Sequence, residues 1–222
     1  MGDRAWISWS SGKDAAWALY VARTRLGLDV TRMLTTVTRD YGRVSMHAVR
    51  QDLLFAQAQS VGLPVYMAYI PARCASEDYE KVMRKALDAA HNEGVAKMVF
   101  GDLLLEDVRA YRVEKMADTG IEPVFPLWGS DTHALAGEML SAGAKAVITC
   151  IDPRKLPREF AGRQFDMDFL KSLPEGVDPC GENGEFHTFA WDGPAFAHPV
   201  RVRTGETVER EGFIFTDVLA ED

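Results

Sequence analysis

The sequence predicts an α/β fold in which a mainly parallel sheet lies between two helix layers and a smaller α+β region follows. Up to Cys150, short apolar strands alternate with helical segments of roughly 12 to 18 residues, the spacing that parallel strands require for their crossover connections. After Asp152 the rhythm changes, because prolines interrupt short elements. The chain of 222 residues is 47% hydrophobic, which is enough for a substantial core. We expect a division into 1–125 and 126–222.

The elements of this fold follow from hydrophobic periodicity and end signals. Apolar, β-branched runs predict strands over 5–9, 31–38, 65–70, 95–100 and 144–150. Apolar residues at helical spacing predict helices over 14–25, 47–61, 76–94, 106–119 and 130–143. Ser76 is expected to cap its helix, and Ser130 or Asp131 the last of these helices. Near the C-terminus, two strands are expected to join at 204–206.

Composition argues against several classes of function. The net charge of −8 disfavours binding to bulk nucleic acid, which needs lysines and arginines to displace counterions. The three cysteines form no C-x-x-C pair, so the sequence supports neither a zinc site nor a disulfide framework. No apolar run is long enough for a signal peptide or a membrane span, and we therefore expect a cytoplasmic protein.

The segment 6–14 combines a strand, a turn of small residues and the start of a helix. Free backbone N–H groups and the positive end of the helix dipole make such a turn a cradle for an anion such as phosphate. Ser8, Ser10 and Ser11 offer hydroxyls, Gly12 allows close approach, and Lys13 adds positive charge. Asp14 can hold Mg²⁺ bound to a polyphosphate. The alternative is an ordinary turn before a solvated helix; neither the Walker A nor the Rossmann glycine pattern is present.

The segment 10–14 resembles the PP-loop, Ser-Gly-Gly-x-Asp-Ser, of the ATP pyrophosphatases, and we refer to it as the PP-loop. Its Lys13-Asp14 form is similar to that of the diphthine–ammonia ligase family. The resemblance implies an adenine nucleotide alpha hydrolase-like fold that binds ATP and releases pyrophosphate. Ser11 stands in place of a glycine and Ala15 in place of a serine; Ser11 is compatible with the loop if its φ is negative.

Two further segments resemble signatures of the same family. The first contains Gly101-Asp102, with Glu106, Arg109 and Arg112 after it. Arginines following a strand end can bind a phosphate or a carboxylate, although a solvated helix face has the same pattern. The second is the glycine-shaped segment 181–189, in which Glu182, Glu185 and His187 are the candidate acceptor-binding and catalytic residues. An extended chain would place Glu185 and His187 on one side.

Together the resemblances imply an ATP-dependent ligase. A substrate carboxylate would attack the α-phosphorus of MgATP, and ammonia would then displace AMP to form an amide. Lys13 and Asp14 would act in catalysis with the acceptor residues Glu182, Glu185 and His187. The nucleotide would contact the residues Ser8, Ser10, Ser11, Gly12, Lys13, Asp14, Leu34, Thr35, Gly101 and Asp102. Glu106, Arg109 and Arg112 would contact the acceptor.

The identity of the acceptor is open. In the resembled family it is diphthine on elongation factor 2. Three alternatives also stay open at this point: a non-catalytic adenine-nucleotide sensor, a tRNA-modifying PP-loop enzyme and a hydrolase of adenine nucleotides. A homodimer is possible. Cys180 can serve as a nucleophile, but the sequence identifies no partner base for it.

Overall fold

A computed structural model describes residues 2–45 and 49–221. The N-terminal elements are β1 (Arg4–Ser8), α1 (Lys13–Thr24), β2 (Asp29–Thr38), β3 (Arg43–Val44), α2 (Gln51–Val61), β4 (Val65–Ile70), α3 (Ser76–Asn92), β5 (Lys97–Val99), α4 (Glu106–Met116) and β6 (Glu122–Val124). The C-terminal elements are α5 (Thr132–Ser141), β7 (Lys145–Ile151), a 3₁₀ turn (Arg158–Phe160), α6 (Met167–Ser172), β8 (Phe186–Asp192), β9 (Val202–Arg210) and β10 (Phe213–Ala220).

The N-terminal elements form the expected mainly parallel sheet. β1 lies in its middle, pairs in parallel with β2 and β5, and β4 and β6 extend the sheet in parallel on either side. The short β3 pairs antiparallel to the end of β2. The order changes direction at β1, so the crevice beyond the carboxyl ends of β1 and β5 is the place where open α/β sheets bind ligands.

Helices cover both faces of this sheet, which confirms the three-layer α/β prediction. Along β1, Ala5 and Ile7 belong to a core shared with α1 and α2, whereas Trp6 belongs to a core shared with α3. This alternation is what a strand buried on both faces requires. No helix of the described residues is long and apolar enough to cross a membrane.

The C-terminal strands form a separate antiparallel sheet in the order β8-β7-β10-β9. The predicted strand 144–150 is β7, and it pairs with β8 and β10. The turn predicted at 204–206 is wrong, because β9 continues through it and Thr204 pairs with Val218. The chain turns instead at Glu211 and Gly212, both of which have positive φ. The division at 125/126 remains a prediction.

Some predicted helix ends shift. α3 begins at Ser76 itself with Ala75 in the capping position, so Ser76 is not the cap. Asp131 does cap α5, because its carboxylate accepts a hydrogen bond from the backbone N–H of Ala134. α2 begins at Gln51, and the predicted start of this helix at His47 lies outside the described residues.

Candidate functional site

The PP-loop connects β1 to α1 through a backbone conformation that serine rarely adopts. Ser11 has a φ of 71°, so the condition under which a serine suits this loop, a negative φ, is not met. A residue with a Cβ pays on the order of 1–2 kcal/mol for this left-handed conformation. The carbonyl of Ser11 accepts hydrogen bonds from the backbone N–H of Ala190 at 2.9 Å and from Gln57 Nε2 at 3.1 Å. The strained loop is therefore held from two sides.

The start of α1 has the features of an anion site. Gly12 occupies the N-cap position and has no side chain with which to cap the helix. The hydroxyl of Ser11 is buried and has no hydrogen-bond partner. Ser10 Oγ lies 3.3 Å from the N–H of Gly12, and Ser8 ends β1 beside the loop, half-buried. A buried hydroxyl without a partner at the start of a helix suits a phosphate oxygen.

Lys13 lies inside the protein rather than open to a ligand. Its side chain is 2% exposed, and its Nζ donates to the carboxylate of Asp14 at 2.8 Å and to the carbonyl of Cys180 at 2.5 Å. Burial alone would lower the pKa of Lys13, but the charge and hydrogen bond of Asp14, together with the charges of Cys180 and Glu182, outweigh burial and raise the pKa. The ammonium group thus links the PP-loop to the C-terminal region, and this geometry favours positioning over a direct phosphate contact.

Gly101 borders the start of α1, and the nucleotide contacts expected of Gly101 and Asp102 remain predictions. A Cβ at Gly101 would lie 3.0 Å from the backbone carbonyl of Asp14, so a larger residue would fit here only if this backbone shifted. Asp102 receives two hydrogen bonds from Arg112, at 2.6 and 3.2 Å, and the guanidinium of Arg112 lies over the ring of Phe100. Arg112 is therefore already neutralised by Asp102.

Leu34 and Thr35 lie beside the loop, at the carboxyl half of β2. The carbonyl of Leu34 accepts from the N–H of Trp9 at 2.8 Å, and the hydroxyl of Thr35 donates to the carbonyl of Trp9 at 2.9 Å. Leu34 also lines a cavity of about 510 Å³ between α3 and α4, together with Tyr79 and Phe100. Its volume and its apolar and aromatic lining are typical of ligand pockets.

Glu182 is the acceptor candidate that the structure places near the PP-loop. Burial, reinforced by the charge of Asp14, raises its pKa to about 7, although Lys13 acts in the opposite direction. Asp178 and Asp102 contribute further negative charge. A carboxyl group that changes charge near neutral pH in a crevice is suited to general acid–base work.

The carboxylate of Glu185 is used within its own loop, and the expected place of Glu185 and His187 beside Glu182 remains a prediction. Glu185 is 2% exposed, and its carboxylate accepts from the backbone N–H groups of Asp178 and Asn183 at 3.1 and 2.9 Å. It shapes the loop before β8. Next to His187 in β8, the Thr188 hydroxyl accepts from the N–H of Lys13 at 3.0 Å. The hydroxyl of Thr188 therefore connects β8 to the start of α1.

Arg109 is an exposed, positively charged residue of α4. Its guanidinium lies over the rings of Trp128 and Phe125, at 4.9 and 5.4 Å from their centroids. Rings on which a guanidinium stacks preorganise it for a planar carboxylate. Glu106 is exposed in the first turn of α4.

Sequence reasoning missed Thr188 and Gln57, both of which contact the PP-loop. A threonine in a strand and a glutamine in an amphipathic helix carry no motif signal, and their roles depend on contacts between distant segments. Cys180 is not a suitable nucleophile, because burial raises the pKa of its thiol to about 12. Within residues 2–45 and 49–221, no group of three or more histidine, cysteine or acidic residues is arranged to hold a metal ion.

Comparisons with known proteins agree with the three sequence signatures. A family model described as the diphthamide synthase N-terminal domain matches residues 3–122, and the model of the C-terminal domain of that synthase matches 131–218. The diphthine–ammonia ligase of Danio rerio is 29% identical over 72% of this chain and 69% of its own length. The Homo sapiens ligase is 28% identical over 80% of this chain and 70% of its own. The Schizosaccharomyces pombe ligase is 24% identical over 90% of this chain and 36% of its own.

Proposed function

Because the chain belongs to the diphthamide synthase family of PP-loop ATP pyrophosphatases, we propose that it is an ATP-dependent ligase that joins ammonia to a carboxylate. The observation that carries the proposal is the PP-loop, where a buried hydroxyl without a partner lies at the start of a helix. The related proteins are named diphthine–ammonia ligases, so we propose a diphthine-type acceptor. These matches do not favour the sensor or the tRNA-modifying alternative.

The reaction has two balanced steps. An oxygen of the acceptor carboxylate attacks the α-phosphorus of ATP, the bond to the β-phosphate breaks, and pyrophosphate leaves with that electron pair. Ammonia then attacks the acyl carbon, AMP leaves, and one proton is lost from the nitrogen. The protein contributes positioning and charge stabilisation to both steps.

We propose that the phosphates bind against the PP-loop and that the adenine end lies near Leu34 and Gly101. Asp14 would hold Mg²⁺, since this ion commonly takes one or two carboxylates and completes its shell with phosphate oxygens and water. The Asp14 carboxylate would then be shared between the ion and the ammonium of Lys13, which lies 2.8 Å away.

On the acceptor side, we propose that Arg109 binds a carboxylate and that Glu182 accepts the proton released from the attacking nitrogen. The Arg109 guanidinium is stacked on Trp128, whereas Arg112 is paired with Asp102. Glu182 has a pKa of about 7, so at neutral pH this side chain is ionised in a large fraction of the molecules and can accept a proton there. The roles of His187 and Glu106, and a homodimer, remain predictions.

The proposal is tested by tracing the nitrogen of ammonia into the product. The protein is incubated with MgATP, ¹⁵N-labelled ammonium and a diphthine-bearing protein, and the product is analysed by mass spectrometry. We expect an amide that carries the label and requires ATP. No amide at saturating substrates would contradict a diphthine-type acceptor. Amide formation without ATP would contradict the ligase assignment itself.

A further inference from the structure

Gln57 is a polar side chain of α2 that is completely buried between the PP-loop and β8. Its Nε2 donates to the carbonyls of Ser11 at 3.1 Å and Ala190 at 2.6 Å. Its Oε1 accepts from Trp9 Nε1 at 2.9 Å. The indole N–H can only donate, so it fixes which end of the amide faces the loop. Both amide hydrogens and the amide oxygen are therefore used.

These bonds act on the strained residue of the PP-loop. Ser11 keeps a φ of 71°, and a strained conformation persists only where its surroundings over-determine it. The Ser11 carbonyl receives one hydrogen bond from Gln57 and one from the N–H of Ala190. Glycine would adopt the same φ without this support, because it has no Cβ.

We infer that Gln57 is a positioning residue that holds Ser11 in the left-handed conformation required for ATP binding. It does so by joining three segments: the PP-loop, α2 and β8. The inference rests on the proposed use of ATP at this loop. It predicts that ATP affinity no longer depends on Gln57 when residue 11 is a glycine, which adopts this φ without support.

A double-mutant cycle tests this dependence. Gln57→Met keeps the length of the side chain but removes the amide, and MgATP affinity is measured by calorimetry in the Ser11 and Ser11→Gly backgrounds. We expect Gln57→Met to weaken ATP binding about tenfold with Ser11 present, and less than about threefold with Ser11→Gly. An equal loss in both backgrounds would overturn the inference, as would no loss in the Ser11 background.

Ser60→Ala is the matched control. Ser60 lies one turn further along α2, and its hydroxyl donates to the carbonyl of His198, so its loss also removes a contact between α2 and the C-terminal region. This contact does not involve the PP-loop. We expect Ser60→Ala to leave ATP affinity within about twofold of wild type while lowering stability. A tenfold loss of ATP affinity in Ser60→Ala would show that damage elsewhere in α2 also weakens ATP binding, and would overturn the specific role of Gln57.

A measurement without ATP separates the failure of this inference from that of the proposed function. Hydrogen exchange of residues 9–12 should accelerate in Gln57→Met relative to wild type and to Ser60→Ala. If the wild-type protein fails to bind ATP, the proposed function fails, and unchanged exchange in Gln57→Met would then overturn the positioning role as well. If Gln57→Met does not fold, Gln57→Glu replaces it in the same cycle. The glutamate carboxylate still accepts from Trp9, but it cannot donate to the carbonyls of Ser11 and Ala190.

Discussion

The ionisation of Glu182 lowers the stability of the fold and at the same time provides a carboxylate for the reaction. Burial and the neighbouring Asp14 raise the pKa of its carboxyl to about 7, well above that of an unfolded glutamate. Between about pH 4.5 and pH 7 the folded protein keeps a proton that the unfolded chain releases. Stability therefore falls as pH rises through this window, while the carboxylate that can accept a proton becomes available.

The first prediction follows from this pKa. Glu182→Gln removes the ionisable group, so we expect the variant to unfold at a higher temperature than wild type at pH 8 but at the same temperature at pH 4. Thermal unfolding followed by circular dichroism at both pH values is the measurement. Amide formation should fall in the same variant. A variant that is less stable at pH 8 would contradict the raised pKa.

The second prediction concerns Lys13. Lys13→Met keeps an unbranched side chain beside the Phe165 and Phe186 rings, but it removes the ammonium that lies over them and leaves Asp14 and the Cys180 carbonyl without their donor. We expect the free energy of unfolding to fall by on the order of 1–3 kcal/mol, and ATP affinity to fall with it. Urea unfolding and calorimetry measure the two quantities.

Lys85→Met serves as the control for Lys13, because Lys85 is an exposed lysine on α3. It should change neither quantity. If Lys13→Met lost ATP affinity with unchanged stability, the ammonium group would act on the phosphate directly, and the positioning role would be wrong.

Local chemistry at the site was only partly readable from the sequence. The turn of small residues before α1 predicted the anion site, because a strand, a turn and a helix start are local features. The φ of Ser11 could not be inferred, since the bonds that hold it come from Gln57 and Ala190, which are distant in sequence.

At the scale of elements, an ion-pair cluster connects β10 to the edge of the parallel sheet. Asp217 of β10 accepts hydrogen bonds from Arg43 and Arg50 at 2.9 and 2.6 Å. Partial burial disfavours its ionisation, but these bonds outweigh burial and lower the pKa of Asp217 to about 2. The cluster contributes stability above the unfolded pKa near 4, and that contribution is lost as pH falls toward about 2.

The third prediction is that Asp217→Asn lowers the free energy of unfolding at pH 7 by about 1–2 kcal/mol, discounted for partial exposure. The difference from wild type should shrink as pH approaches 3. Urea unfolding across this range measures it. Asp88→Asn, which breaks an exposed pair with Arg84 on α3, should cost only a few tenths of a kcal/mol by the usual worth of such pairs. Equal costs for the two variants would contradict the anchoring role of Asp217.

Among the elements, long periodic helices and apolar strands were predictable, whereas short edge elements were not. β6 consists of Glu122, Pro123 and Val124, and a proline discourages a strand prediction. The turn at 211–212 was missed because Gly205, inside β9, gave the same signal as Gly212.

At the scale of the molecule, the sequence indicated the α/β class because the alternation of strands and helices is a local pattern. It did not indicate how the C-terminal sheet meets the PP-loop. That contact depends on Thr188, Ala190 and the Cys180 carbonyl, which reach the loop from more than a hundred residues away. The ligase proposal depends on the same contact, because it brings Glu182 within reach of the charge of Asp14.

The most direct test of the central claim is to determine which phosphate bond of ATP is broken. The protein is incubated with MgATP, ammonium and a diphthine-bearing protein, and ³¹P NMR follows the products, with reactions lacking acceptor or ammonium as controls. The adenylation mechanism predicts AMP and pyrophosphate in equal amounts, matched by amide, and little of either without acceptor. Formation of ADP and inorganic phosphate, or AMP release at the same rate without acceptor, would contradict it.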